Sequence, residues 1–190
     1  MRYCLLLAAL CAGPTLAQLE VVANAVGGVD RVTAGDITLA QDIHMRLVKP
    51  GWQGAFGTQS DPVGLSVERT EADGIERFSG QFACEGKPCR FEQTLIRRPD
   101  GFSLVYRVTP TETLEAELIG VMVDLPTSGN AGTGTFTIHD GGVALKTPLP
   151  TELPDPYHLA GSGSMQWCGW LLAGGVGLRI TPRWCRHQGR

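Results

Sequence analysis

Long apolar runs are missing from almost all of this 190-residue chain. After Ala12 nothing approaches the roughly 20 apolar residues of a membrane helix. The longest candidate, Trp167 to Ile180, is short and carries glycines and an arginine, so no membrane span is expected. Basic clusters are missing too. Lysine and arginine number 16 against 19 acidic residues, a net charge of −3, and no patch of the kind that neutralises phosphates stands out. Nucleic acid is therefore not an expected partner. The paired C-x-x-C knuckles of ribbon zinc sites are absent. The four histidines, His44, His139, His158 and His187, are scattered along the chain and suggest no convergent ligand set, so no metal and no cofactor are expected. Helical periodicity is scarce, and no catalytic motif is complete.

What is present begins with an export signature. Arg2 makes the start basic, Cys4 to Ala12 is uninterrupted apolar, Gly13-Pro14 breaks the run, and Thr15-Leu16-Ala17 ends it with small residues at the cleavage positions. This layout predicts a signal peptide over 1–17 and a mature start at Gln18 in a periplasmic or secreted protein. The remainder is one domain of ordinary size. It holds Cys84, Cys89, Cys168 and Cys185. Cys84 and Cys89 enclose a turn-forming Glu85-Gly86-Lys87-Pro88 between two β-like runs. In an oxidising compartment a local disulfide there is expected over zinc held by all four thiolates. The pairing of Cys168 and Cys185 stays open.

The dominant rhythm has period two. Phe102, Leu104, Tyr106 and Val108 alternate with Ser103, Val105, Arg107 and Thr109. Leu65 and Val67, then Phe136 and Ile138, do the same, and Ile37 to Val48 reads as one or two strands interrupted at Gln41-Asp42. Such alternation places one face on a core. Turns punctuate it at Ala72-Asp73-Gly74, Arg98-Pro99-Asp100-Gly101 and His139-Asp140-Gly141-Gly142. The pattern predicts an all-β fold, an antiparallel β-sandwich over 18–180. Thr111 to Val123 reads as a strand, Thr127 to Gly134 as a loop, and Thr147 to Tyr157 as a proline-rich connection. Residues 181–190 read as a basic tail. Tryptophan, cysteine and arginine crowd into the last stretch, which fits either a basic tail or out-of-frame translation of a longer gene.

Each candidate for chemistry has a plain structural reading beside it. Ser162 and Ser164 lie one residue off a nucleophile elbow, without its strand and helix. Gly132-Thr133-Gly134 and Gly174-Gly175-Val176-Gly177 complete no phosphate loop. His139-Asp140 reads as turn capping. Glu68, Glu71, Asp73 and Glu76 surround a hairpin tip, where carboxylates serve solubility and edge protection. Trp52, in Lys49-Pro50-Gly51-Trp52-Gln53, is the binding candidate. It is either a core plug or a loop indole that stacks on a sugar ring, with Gln53 and Gln59 supplying hydrogen bonds.

From Trp52 to about Leu159 the chain resembles the N-terminal, galactose-mutarotase-like β-sandwich domain of bacterial secreted two-domain glycoside hydrolases. The resemblance is carried by the Phe78-Ser79-Gly80 strand, the Phe91–Arg97 and Phe102–Val108 hairpin and the Val121-Met122-Val123-Asp124-Leu125-Pro126 strand end. The Gly132–Gly134 loop before Thr135–Ile138 and the Leu149-Pro150 and Leu153-Pro154 pair followed by His158-Leu159 complete it. It implies a carbohydrate-associated sandwich, supersandwich-like in layout, with poly- or oligosaccharide as partner. In such enzymes the catalytic carboxylates sit in a following barrel, which this sequence does not contain, so no catalytic residue carries over. A non-catalytic module or the remnant of a longer enzyme is the first expectation. A small glycan-active hydrolase or epimerase and an envelope structural protein are the alternatives.

Overall fold

The structure, a computed structural model, describes residues 2–10, 18–60, 66–84, 87–126, 133–139, 144–151, 166–172 and 175–187. At 2–10, 83–84 and 183–187 it describes backbone pairing alone. The described residues form two antiparallel sheets. The larger has nine strands in the order β12 (Ala144–Pro148), β11 (Thr135–His139), β13 (Trp167–Leu171), β14 (Gly177–His187), β1 (Arg2–Leu10), β9 (Gly101–Pro110), β8 (Lys87–Arg98), β7 (Ile75–Cys84) and β6 (Ser66–Ala72). The smaller runs β10 (Leu118–Asp124), β4 (Ile37–Val48), β3 (Val29–Ala34) and β2 (Leu19–Ala23), with β5 (Ala55–Thr58) also paired to β4. No helix of the described residues is long and apolar enough to cross a membrane.

The period-two pattern explains the layers. On β9, Phe102, Leu104, Tyr106 and Val108 are buried while Arg107 is exposed; on β8, Cys89, Phe91, Gln93 and Leu95 are buried while Arg90 and Glu92 are not. The smaller sheet answers with Val32, Leu39, Ile43, Met45 and Leu47, all at most 1% exposed. Burying each large apolar side chain contributes roughly 1.5–3 kcal/mol. β4 is one strand, and its polar interruption is a bulge. Asp42 takes φ 47°, and the register with β10 skips there, from Met122↔His44 to Asp124↔Gln41. His44 Nδ1 lies 2.9 Å from Asp42 O and 3.1 Å from its Oδ1, tying the bulge. The β6–β7 turn is the Asp-Gly type the sequence signals: Asp73 has φ 53° and Gly74 φ 72°.

Polar groups cross between the layers. Trp170 Nε1 donates to Leu39 O at 2.6 Å, and Arg97 Nε donates to Val21 O at 3.2 Å. Gln59 and Gln93 are buried side by side. Gln59 Nε2 donates to Val26 O (2.9 Å) and to Gln93 Oε1, while Gln59 Oε1 accepts from Met45 N (3.0 Å) and the Tyr106 hydroxyl (3.1 Å). Gln93 Nε2 donates to Gly27 O. Burial pushes the Tyr106 hydroxyl far above its usual pKa, so it stays a neutral donor. Gly27 has φ 89°, and a Cβ there would come within 2.6 Å of Gln93 Oε1; only glycine fits.

Several expectations need adjustment. The strand read over Thr111 to Val123 is shorter: β10 begins at Leu118, and the acidic stretch before it is a connection. The tail read over 181–190 is strand as far as His187, because β14 pairs with β1 from Arg179 to His187. Pro148 closes β12, so the connection expected from Thr147 begins later. Glu76 is not a solvated tip residue. It is 2% exposed, in phase with Phe78, and held by Arg97 at Oε1 and by Arg69 Nη2, 2.7 Å from Oε2. In the β7–β8 hairpin Cys84 pairs with Lys87 and Cys89 with Phe82, so the two cysteines stand one diagonal step apart. Diagonal positions are about 7–8 Å apart, beyond the roughly 4.4–6.8 Å of a disulfide, so a bridge there needs the backbone to shift. The Cys84 side chain lies outside the described residues, as do Glu85, Gly86, Asp140, Gly132, Gly174, His158, Ser162, Ser164 and the side chains of Cys185 and His187.

Candidate functional site

The site is built on the turn between β4 and β5. Pro50 presets its first φ. Gly51 (φ 67°), Trp52 (φ 58°) and Gly54 (φ 95°) then take left-handed backbone. For a residue as large as tryptophan that conformation costs on the order of 1–3 kcal/mol and persists only when the surroundings enforce it. Here hydrogen bonds enforce it. Lys49 N donates to Gly54 O at 2.9 Å, Trp52 N to Lys49 O at 3.2 Å, and Gly51 N to Glu117 Oε2 at 2.9 Å. Glu117 N in turn donates to Val48 O at 2.9 Å. The connection before β10 is pinned at its other end by Thr111, whose Oγ1 donates to Pro88 O at 2.6 Å.

A groove of about 540 Å³ lies between this turn, the β7–β8 hairpin and the β9–β10 connection. Its polar lining is Lys49, Gln53, Lys87, Thr113 and Glu115; Pro50, Phe56 and Leu114 supply the apolar part. Lys87 Nζ sits 3.9 Å from Glu112 Oε2. Trp52 stands on the same turn with 66% of its surface exposed. The other described tryptophans are occupied. Trp170 is buried with its Nε1 bonded across the sandwich, and Trp167 stacks on His139 (centroids 5.4 Å apart) with Arg179 Cζ 4.6 Å from its ring centre.

Of the three residues expected to bind a ligand, Gln53 lines the groove, while Trp52, its neighbour in sequence, is exposed on the same turn and is not part of the lining; its exposure overturns the core-plug reading. Gln59 does not join them. It is fully buried, and both ends of its amide are used by Val26, Gln93, Met45 and Tyr106, which removes it from the ligand set. Sequence reasoning missed Lys49, Lys87 and Thr113, which come from the β4–β5 turn, the start of β8 and the β9–β10 connection and share no local signal. Among the described residues no three of His, Cys, Asp and Glu gather as a metal site requires. Cys168 carries a half-buried free thiol, and burial pushes its pKa up to about 11.

Compared with known proteins, the chain matches no family model, no curated protein and no solved structure.

Proposed function

We propose that this chain is an exported, non-catalytic β-sandwich module that binds poly- or oligosaccharide in the groove beside Trp52. One observation carries the reading: a 66%-exposed indole held out by a hydrogen-bonded turn at strained backbone angles. Such a ring gains nothing from the core, whereas the C–H face of a sugar stacks on an indole in water. The groove fits the same ligand class. Its volume of about 540 Å³ falls within the range of small-ligand sites. Its lysines, Gln53, Thr113 and Glu115 offer donors and acceptors for hydroxyl groups, while Phe56 and Leu114 offer apolar contact.

Binding is favoured over hydrolysis by the carboxylates. Glycoside hydrolysis needs two carboxyl groups facing each other roughly 5–10 Å apart. Among the described residues Glu115 is the carboxylate that lines the groove, whereas Glu117 holds the Gly51 amide and Glu112 lies beside Lys87. The likeness to the accessory sandwich of secreted glycoside hydrolases, the leader at 1–17 and a Cys84–Cys89 bridge belong to the same proposal. A glycan array probed with the mature chain, beside a reducing-sugar assay, tests it. Retention of one glycan class without turnover is the expected result. Turnover that survives repurification would establish a small glycan-active enzyme instead, and an array blank at every glycan would leave the envelope structural protein.

A further inference from the structure

Arg2–Leu10 belongs to the segment with the layout of a cleaved leader, yet its backbone lies inside the nine-stranded sheet. β1 pairs with β14 over its full length, Arg2↔His187 to Leu10↔Arg179, and with β9 from Tyr3↔Val108 to Ala8↔Ser103. Both pairings are antiparallel, so β9 and β14 run parallel to each other with one strand between them. Neighbouring strands lie about 4.7–4.9 Å apart, which sets β9 and β14 roughly 9.5 Å apart.

Each wall of that gap is held from elsewhere. β9 is fixed by its ten-residue hairpin with β8, from Cys89↔Pro110 to Arg98↔Gly101. β14 is fixed from Gly177 to Ile180 by β13, whose Trp170 is anchored to Leu39 of the other sheet, and by its own buried Leu178 and Ile180. Closing the gap would slide those buried rows by a strand's width and pair two walls that each present an antiparallel edge. Beyond Ile180, β14 has β1 as its partner and no other among the described strands: residues 181–187 pair with nothing else.

We propose that removal of the leader leaves a one-strand slot between β9 and β14, and that an extended apolar segment of a second polypeptide, running antiparallel to both, completes the sheet. The inference rests on the export reading of residues 1–17. The gap is too narrow for the edge of another sheet, which brings its own neighbours, so the occupant is a single free strand that adds to both edges by main-chain hydrogen bonds. Its side-chain pattern follows from the register. Tyr3, Leu5 and Leu7 stand opposite Val108, Tyr106 and Leu104 in the register, and these three β9 residues are buried. The partner segment therefore carries large apolar residues at three alternate positions. In the precursor the leader itself fills the slot.

The test uses the chain recovered after export, with its N-terminus read by intact mass. Hydrogen exchange is followed at the alternate β9 amides within 103–108 that face the slot, those between them being bonded to β8, while a synthetic peptide of residues 2–10 is added. A control peptide carries Tyr3→Lys, Leu5→Lys and Leu7→Lys. The expected result is rapid exchange in the mature chain, slowed by about a hundredfold or more with the peptide, and no effect of the control. A mature chain starting at Gln18 that protects those amides unaided and ignores the peptide overturns the slot while leaving export intact. Met1 retained on exported protein overturns the export reading, and the slot with it. Should the mature chain be unfolded alone, folding on addition of the peptide supports the proposal, and failure to fold overturns it.

Discussion

Glu76 and its two arginines act at the scale of single residues as a clamp on one end of the sandwich. The carboxylate is buried beneath the β6–β7–β8 surface; Arg97 joins it while also donating to Val21 O on the facing sheet, and Arg69 lies 2.7 Å from the second oxygen. Removing the charge leaves both guanidiniums facing a neutral group, and because each is partly exposed, water recovers some of the loss. Glu76→Gln is therefore expected to cost about 2–3 kcal/mol, less than a fully buried triad would. Urea unfolding of the two proteins reads the difference, and an unchanged midpoint would show that the clamp is ornamental. Cys168 gives a second residue-level expectation. With its pKa raised to about 11, only about one part in a thousand is thiolate at pH 8, and alkylation should rise about tenfold per pH unit until near that value. A rate that levels off near pH 8.5 would mean that the thiol is not desolvated.

Elements show where the sequence could be read and where it could not. The hairpins β6–β7 and β8–β9 were legible because Asp73-Gly74 and Pro99-Asp100 are local turn chemistry, acting whatever the rest of the chain does. The single strand β4 was half legible: Gln41-Asp42 marks an interruption, but whether a chain breaks or bulges there depends on β3 and β10 alongside it. Glu76 and Gln93 could have been placed inside by phase alone. Glu76 is in step with Phe78 and Phe82, and Gln93 with Phe91 and Leu95. For Glu76 polarity outvoted the period, because the partners that make burial of either side chain tolerable — Arg97 for one, Gln59 and Gly27 for the other — come from elsewhere in the chain. Gln59 was misread for the same reason: nothing within the Phe56–Ser60 stretch reveals the four groups that take up its amide.

For the whole molecule, the fold class follows from alternation and turns, while the order of strands does not. The nine-stranded order places β1 and β14, the first and last of the described strands, side by side, a long-range pairing that no local pattern encodes. The groove has the same character. Gln53 and the neighbouring Trp52 were visible because a loop tryptophan just after a strand can stack on a sugar ring; Lys87, at the start of β8, and Thr113, on the β9–β10 connection, arrive only through packing. Under the proposed function a glycan stacks on the exposed indole of Trp52. The most direct measurement is titration of the mature chain and of Trp52→Ala with the retained glycan, by calorimetry, with far-ultraviolet circular dichroism and thermal midpoint recorded for both. The substitution removes a strained, exposed side chain and no core contact, so the spectrum should be unchanged and the midpoint should move by no more than a few degrees, while affinity falls at least tenfold. Undiminished binding by Trp52→Ala, or its unfolding, would contradict the account.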